Sequence, residues 1–337
     1  MRKSCYRFVI VLLCLAPLLA EAQDPQFSQF FAAPLYTNPG FTGASGQTRV
    51  GVNYRNQWPS IEANFTTASF FMDHYSERFK SGVGLMGYSD KVELGEFRQT
   101  AVYGSYSYKV FFSEFLAVTP GIQLGYVRQN LDFSQLVFGS MIDPNSGTIS
   151  NPPSGLSAEN RDYLDLGFGM VSYYKNFWLG YSASHLTRPN TSSSLGGNHA
   201  LSVKHVLTFG YKYSFKKRKK HLQREYAVIP VMLYKQQGGF SQLEVGSYFT
   251  ISPLQVGLWY RGLPLGNVEG KSNHESIVLL TGFTLNGLNI GYSFDYTVSK
   301  LSVKAGGAHE ISLVYVFSLE NKRKAPYHMR RVPCPQF

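Results

Sequence analysis

From Gln47 onward the chain alternates apolar and polar residues with a period of two, in stretches of roughly ten residues. In Leu201 to Phe215, the side chains of Leu201, Val203, Leu207, Phe209, Tyr211, Tyr213 and Phe215 alternate with Ser202, Lys204, Thr208, Gly210, Lys212 and Ser214. Phe177, Leu179 and Tyr181 alternate with Trp178, Gly180 and Ser182. Leu288, Ile290, Tyr292, Phe294 and Tyr296 alternate with Asn289, Gly291, Ser293, Asp295 and Thr297. Successive strand residues point to opposite faces, so each stretch makes one apolar, aromatic face and one small or polar face. A soluble β-sandwich also alternates, but it seldom gathers so many Tyr and Phe on one face. The pattern predicts an all-β fold, a transmembrane antiparallel β-barrel with its apolar face in lipid.

Segment counting predicts about fourteen strands, an even number, as closed bacterial barrels require. They are expected to begin near Gln47, Asn64, Phe79, Glu96, Glu114, Arg161, Asn176, Leu201, Glu225, Ser241, Pro253, His274, Asn286 and Gly307. Even parity puts both termini on one side, expected to be the periplasm. The connections Arg128 to Asn160, Arg188 to Ala200, Leu263 to Asn273 and Ser299 to Gly306 then fall outside, and the tight ones at Lys175, Ser252 and Leu285 fall inside. The inner turn Lys216 to Arg224 is unusually long and basic. In the last strand, Glu310 to Phe317, aromatic residues stand at the end and two before it, much as in the terminal targeting strand of outer-membrane barrels.

Only 16% of residues are charged, against roughly 25% in an ordinary soluble domain, while 15% are Phe, Trp or Tyr. After residue 22 no unbroken apolar run of roughly 18 occurs, which excludes a polytopic helical membrane protein. Arg2, Lys3 and Arg7, then an apolar run from Phe8 to Leu19 and Ala20-Glu21-Ala22, read as a secretory signal peptide over residues 1–22. Cys5 and Cys14 would leave with it, and Cys334 alone cannot form an intramolecular disulfide or a cysteine zinc site. Residues 23–46 lack alternation and carry Pro25, Pro34 and Pro39. With Phe27, Phe30, Phe31, Leu35, Tyr36 and Phe41 they are too apolar for a free tail, and are expected to form a plug-like or periplasmic segment. The barrel would span 47–317 and a basic periplasmic tail 318–337.

Several motifs resemble the PorP/SprF family of type IX secretion system outer-membrane proteins of Bacteroidota. The opening QFSQFFAAPLYTNPGFTGA is similar to the family's, with Gln26, Phe27, Ser28, Gln29, Pro34, Asn38, Pro39 and Gly43 in place and Ala33 and Gly40 as departures. Arg55-Asn56-Gln57-Trp58, LDFSQLVFG from Leu131, GYSASHLTRPN from Gly180, Tyr260-Arg261-Gly262-Leu263-Pro264, IGYSFDYTVS from Ile290, HEISLVYVF from His309 and the ending Cys334-Pro335-Gln336-Phe337 also match. Ser312 stands where the last-strand pattern usually has glycine, and Ser140-Met141 precede Ile142-Asp143 in place of Asp-Gln. The resemblance implies a non-enzymatic role: export and surface attachment of secreted proteins or gliding adhesins, with contact to periplasmic ring or peptidoglycan-linked proteins and to secreted C-terminal domains. An outer-membrane channel for hydrophobic solutes, fatty-acid-porin-like, is the alternative.

Strand parity places Trp58, His185, Arg188, Asn190, Arg261, Pro264, Asp295 and His309 toward the outer ends of their strands, and alternation points Arg55, Arg261, Asp295 and Asp165 into the lumen. Arg55, Trp58, His185, Arg188, Asn190, Arg261, Asp295 and His309 are thus candidates for substrate docking at the outer mouth. The lumen charges can equally be pairs that brace the interior, because an unpaired buried charge is costly. The full chain carries a formal +11. Loss of Arg2, Lys3, Arg7 and Glu21 leaves +9 on the mature chain. Eleven cations sit in two clusters, one of Lys216, Lys217, Arg218, Lys219, Lys220 and Arg224, the other of Lys322, Arg323, Lys324, Arg330 and Arg331. Both are candidate contacts for a periplasmic partner or for lipid phosphates, and nucleic acid is an unsuitable partner for an exported barrel. No HExxH spacing or glycine-rich phosphate loop is present, so no catalytic residue, metal or cofactor is expected.

Overall fold

A computed structural model describes residues 24–61, 64–93, 97–132, 159–191, 200–215, 226–268, 271–298 and 305–318. Its strands are β1 (Thr48–Gln57), β2 (Phe65–Ser76), β3 (Ser81–Val92), β4 (Phe97–Tyr108), β5 (Val110–Phe111), β6 (Leu116–Leu131), β7 (Glu159–Tyr174) and β8 (Phe177–Ser184). They continue as β9 (Lys204–Tyr211), β10 (Tyr213–Ser214), β11 (Tyr226–Gln237), β12 (Phe240–Ile251), β13 (Leu254–Val268), β14 (Lys271–Leu285), β15 (Leu288–Thr297) and β16 (Ala308–Phe317). β5 and β10 are two-residue pieces at strand ends, which leaves fourteen full strands. Each pairs antiparallel with its neighbours, β9 pairs with β11, and the first strand closes on the last from Thr48↔Phe317 to Gln57↔Ala308. No sheet edge is left open, the condition for backbone to cross lipid as strands.

The fourteen starts fall within three residues of those read from the alternation. The faces follow it too. Ile290, Tyr292 and Tyr296 are exposed on the outside, whereas Asn289, Ser293 and Asp295 are buried inside. Outward Phe177, Leu179 and Tyr181 alternate with buried Trp178 and Ser182. On β16, Ile311, Leu313 and Tyr315 face out, while Glu310, Ser312 and Val314 are buried. The connection expected from Leu263 to Asn273 is instead mostly strand, since β13 runs to Val268 and β14 starts at Lys271. Register shifts at Arg261/Gly262 and Leu263/Asn267 break the alternation there, which hides the strand from a period-two reading.

Both ends of the barrel chain lie at one rim, with the tight turns after Tyr174, Ile251 and Leu285. The opposite rim carries the long connections after Leu131 and Ser184. Residues 1–22, the long basic turn 216–224 and the tail 319–337 lie outside the described residues.

Inside the ring of strands lies the segment Asp24–Gly46, mostly buried, with one helical turn at Pro34–Thr37 and a 3-10 turn at Pro39–Phe41. Its contacts run around the inner wall. Asn53 Nδ2 on β1 donates to Ala32 O at 3.1 Å, and the Gly43 amide donates to Asp73 on β2 at 2.6 Å. Ser107 on β4 donates to Thr42 O at 2.7 Å, and Ser182 on β8 donates to Thr37 O at 2.8 Å. Ser312, the departure from glycine, donates to Gln29 Oε1 at 2.6 Å. Phe30 and Phe31 meet Trp259, Trp178 and Tyr248 edge-on, with ring centroids 5.1–6.1 Å apart. Such pairs add about 0.5–1.5 kcal/mol beyond the area they bury.

Two wall glycines make room for this segment. A Cβ on Gly121 would fall 2.5 Å from Pro39 O, and one on Gly82 would fall 2.4 Å from Thr42 O. Backbone against backbone cannot yield as a flexible side chain can. Gly121→Val is expected to cost about 1–3 kcal/mol of overpacking and to expel the segment while the barrel persists. Heat-modifiable gel mobility should stay native while residues 24–46 become cleavable by added protease.

Candidate functional site

Two charged clusters tie the inner segment to the wall. In the first, cross-strand register sets Arg55 on β1 opposite Glu310 on β16, and Glu244 on β12 opposite Arg261 on β13. Asp295 on β15 joins the pairs: its Oδ2 is 2.9 Å from Arg55 Nη2 and 2.8 Å from Arg261 Nη1. Arg55 Nη1 reaches Glu310 Oε2 at 3.3 Å, Arg261 Nη2 reaches Glu244 Oε2 at 3.3 Å, and Lys235 Nζ on β11 lies 2.8 Å from Glu244 Oε1. Three cations therefore meet three carboxylates on six strands, and the set is neutral. Such closure matters because removing one partner from a buried pair typically costs about 3–5 kcal/mol.

Ser28 of the inner segment sits at the centre of this network. Its hydroxyl donates to Asp295 Oδ2 at 2.6 Å and accepts from Arg55 at 2.7 Å and Arg261 at 2.9 Å. Its backbone amide donates to Glu310 Oε2 at 2.7 Å, and the Gln29 amide donates to Oε1 at 3.2 Å. Charge-assisted bonds of this kind are the strong ones.

The second cluster fastens the start of the segment. Asp24 Oδ2 lies 2.8 Å from His185 Nε2 and 2.7 Å from Lys204 Nζ, while His185 Nδ1 lies 2.9 Å from Asp165 Oδ2 on β7. His185 stands just past β8 with φ +60°, a turn that swings its ring inward, where it is buried. Burial disfavours a charged imidazole, yet the Asp24 carboxylate and hydrogen bonds to Asp165 and Asp24 outweigh it and push His185 up to about 9. Burial would likewise raise Asp24, but His185 and Lys204 hold it well below the usual carboxylate range. Both ring nitrogens of His185 face carboxylates, so neither is placed to activate a hydroxyl.

The structure brings Arg55, Arg261 and Asp295 into one network and puts His185 in the other. Arg188 and Asn190 are exposed on the connection after β8, Asn190 bridging to Ala200. Trp58 lies just past β1, its amide donating to Gly307 O at 2.7 Å and its ring edge-on to Phe65. His309 is on the outer face with Tyr292, whose hydroxyl is 2.8 Å from His309 Nδ1. Alternation could have added Glu244, Glu310, Lys235 and Lys204 to the inward charges. Asp24 and Ser28 carried no such signal, because the segment holding them has no periodicity. Among the described residues no group of three His, Cys, Asp or Glu is placed to hold a metal ion, and no helix is long and apolar enough to cross a membrane.

A closed fourteen-stranded barrel with an aromatic, apolar exterior and a polar, charge-paired interior defines an outer-membrane β-barrel protein. The family model for the type IX secretion system membrane protein PorP/SprF matches residues 19–315, and the chain belongs to that family. No curated protein matches the sequence. Similar solved structures include Acinetobacter baumannii outer membrane protein Omp33, at 9% identity and TM-score 0.42, covering 80% of this chain and 98% of that one. A Pseudomonas aeruginosa FadL homologue aligns at 13% identity and TM-score 0.41, covering 80% and 89%. A deletion mutant of the monoaromatic hydrocarbon channel TodX aligns at 13% and 0.45, covering 84% and 92%.

The Asp24 cluster generates a pH prediction. A raised His185 contributes stability in full below its ordinary 6.5 and loses it as pH climbs through about 9. A lowered Asp24 contributes above its ordinary 3.8 and loses its share only in stronger acid. Protection of the segment's start from added endoprotease should therefore be greatest between about pH 4 and 6.5 and should decline toward pH 9. In His185→Gln the alkaline decline should flatten.

Proposed function

We infer that this protein is a non-enzymatic outer-membrane component of the type IX secretion system, supporting export and surface attachment of secreted proteins or gliding adhesins. The observation that carries this reading is the family match across nearly the whole barrel. In this reading the rim with both termini faces the periplasm, and the rim with the long connections faces outward. The basic clusters 216–224 and 322–331 then meet the periplasmic ring or peptidoglycan-linked proteins through complementary acidic surfaces.

The outward rim receives the C-terminal domain of a secreted client. Trp58, Arg188 and Asn190 offer a first contact there, and the network of Arg55, Arg261 and Asp295 lies beneath. The inner segment occupies the lumen and bonds to the inward charges. A non-catalytic role fits the pairing of His185 with two carboxylates.

The double variant Arg261→Ala with Asp295→Ala tests the docking role. It removes one cation and one anion, so the network stays neutral and the barrel should remain in the membrane in native amount. Client retention on the cell surface should fall, and normal surface display would sink the docking role. Truncation after Asn321 spares β16 and should abolish co-purification of the periplasmic partner; undiminished recovery of that partner would remove the tail from the interface.

A further inference from the structure

At the rim of long connections, a cleft of about 50 Å³ lies between the inner segment and β9, β11 and β12. Antiparallel register stacks its wall in two rows. Lys204, Gln237 and Phe240 stand side by side at the top, with Val206, Lys235 and Gln242 beneath them. Directly opposed residues of this kind have Cβ atoms about 4.5–5.5 Å apart, and diagonal ones remain within reach of long side chains. Lys204, Gln237 and Lys235 thus bring their donors to one place. Phe27 and Phe30 of the inner segment, with Phe240, supply apolar surface around them.

The lining donors of this cleft are paired within the protein with one exception. Lys204 Nζ is 2.7 Å from Asp24, and Lys235 Nζ is 2.8 Å from Glu244, so each ammonium has one carboxylate. Lys204 Nζ also lies 3.5 Å from the Tyr36 hydroxyl and 4.5 Å from that ring's centre; each ammonium carries three N–H bonds, so each keeps at least one beyond these contacts. Gln26 and Gln242 bond to each other, with Gln26 Nε2 donating to Gln242 Oε1 at 2.9 Å. Gln237, between the two lysines and only 8% exposed, has an Nε2 with no hydrogen-bond partner. A buried amide donor without an acceptor costs about 1–3 kcal/mol. What completes the site is one acceptor, negatively charged to suit two ammoniums, on an apolar body that suits three phenyl rings.

We propose that this cleft binds a carboxylate carried on a small apolar or aromatic group, with Gln237 as the neutral donor that fixes it between Lys204 and Lys235. The carboxylate accepts from Gln237 Nε2 and from the spare protons of the two lysines, while its apolar end lies on Phe27, Phe30 and Phe240. This assignment stands independently of the secretion role. The same chemistry is offered by a free aryl-alkanoic acid and by the C-terminal carboxylate of a polypeptide ending in an aromatic residue.

The test uses the full chain purified in detergent and calorimetric titration with 3-phenylpropionate, its alcohol 3-phenylpropanol, and the peptide Gly-Gly-Phe with free or amidated C-terminus. At least one free carboxylate probe should bind saturably, about tenfold or more tighter than its uncharged counterpart, as expected when a charged hydrogen bond is lost. Gln237→Leu should weaken it by a similar factor, and Gln237→Glu should weaken it further by repulsion, with heat-modifiable mobility confirming that both variants are folded. Tighter binding by the peptide assigns the carboxylate to a chain end, and tighter binding by the acid assigns it to a free solute. Equal binding of charged and uncharged probes, no saturable binding of any probe, or unchanged affinity in both folded Gln237 variants would overturn the proposal.

Discussion

The structure depends on the neutralisation of charge around Ser28. Arg55, Arg261, Lys235, Glu244, Asp295 and Glu310 project from six strands into the barrel interior, where burial strips most of their solvation. Any one alone would be too costly to bury; as a closed set of three cations and three carboxylates they are tolerated. Ser28 and the amides of Ser28 and Gln29 take up hydrogen-bonding capacity that the ion pairs leave over. The strand wall and the inner segment therefore stabilise each other: the wall supplies charge, and the segment supplies small, directional donors and acceptors. Small wall residues extend this fit, with Gly82 and Gly121 admitting backbone where a methyl group would collide.

The barrel was legible in the sequence because a lipid-facing strand must obey a period of two, and that rule has few exceptions when one face meets hydrocarbon and the other a polar interior. It located each strand and sorted Arg55, Arg261 and Asp295 inward together with Asp165. It failed where the backbone departs from regular pairing, at the register shifts around Arg261 to Asn267, where β13 continues through what reads as loop. The candidate site was legible only in part. Inward direction follows from parity, but which charges meet depends on cross-strand register. The partner lying over them, Asp24 to Gln29, belongs to a segment without periodicity. His185 also escaped a parity argument, because its positive φ takes it off the strand just where its ring turns inward.

The two fastenings of the segment differ in kind. At Ser28 the bonds run to arginines and carboxylates buried within the strands. At Asp24 one of the two cations is an imidazole, whose charge is lost as pH climbs through about 9. The segment is thus held firmly at its middle and adjustably at its start, next to the cleft that Asp24 and Phe27 help to line.

The segment also bears on the order in which the molecule can be made. Ser28 is bonded to Glu310, 282 residues downstream, on the strand that closes against β1. Ser28 and Gln29 therefore lack their partners on β16 until the last strand has arrived. Closing so long a loop is slow relative to forming neighbouring hairpins. Sealing of the seam and seating of the segment become one late event, so a chain truncated before β16 loses the lock on its lumen together with its final strand.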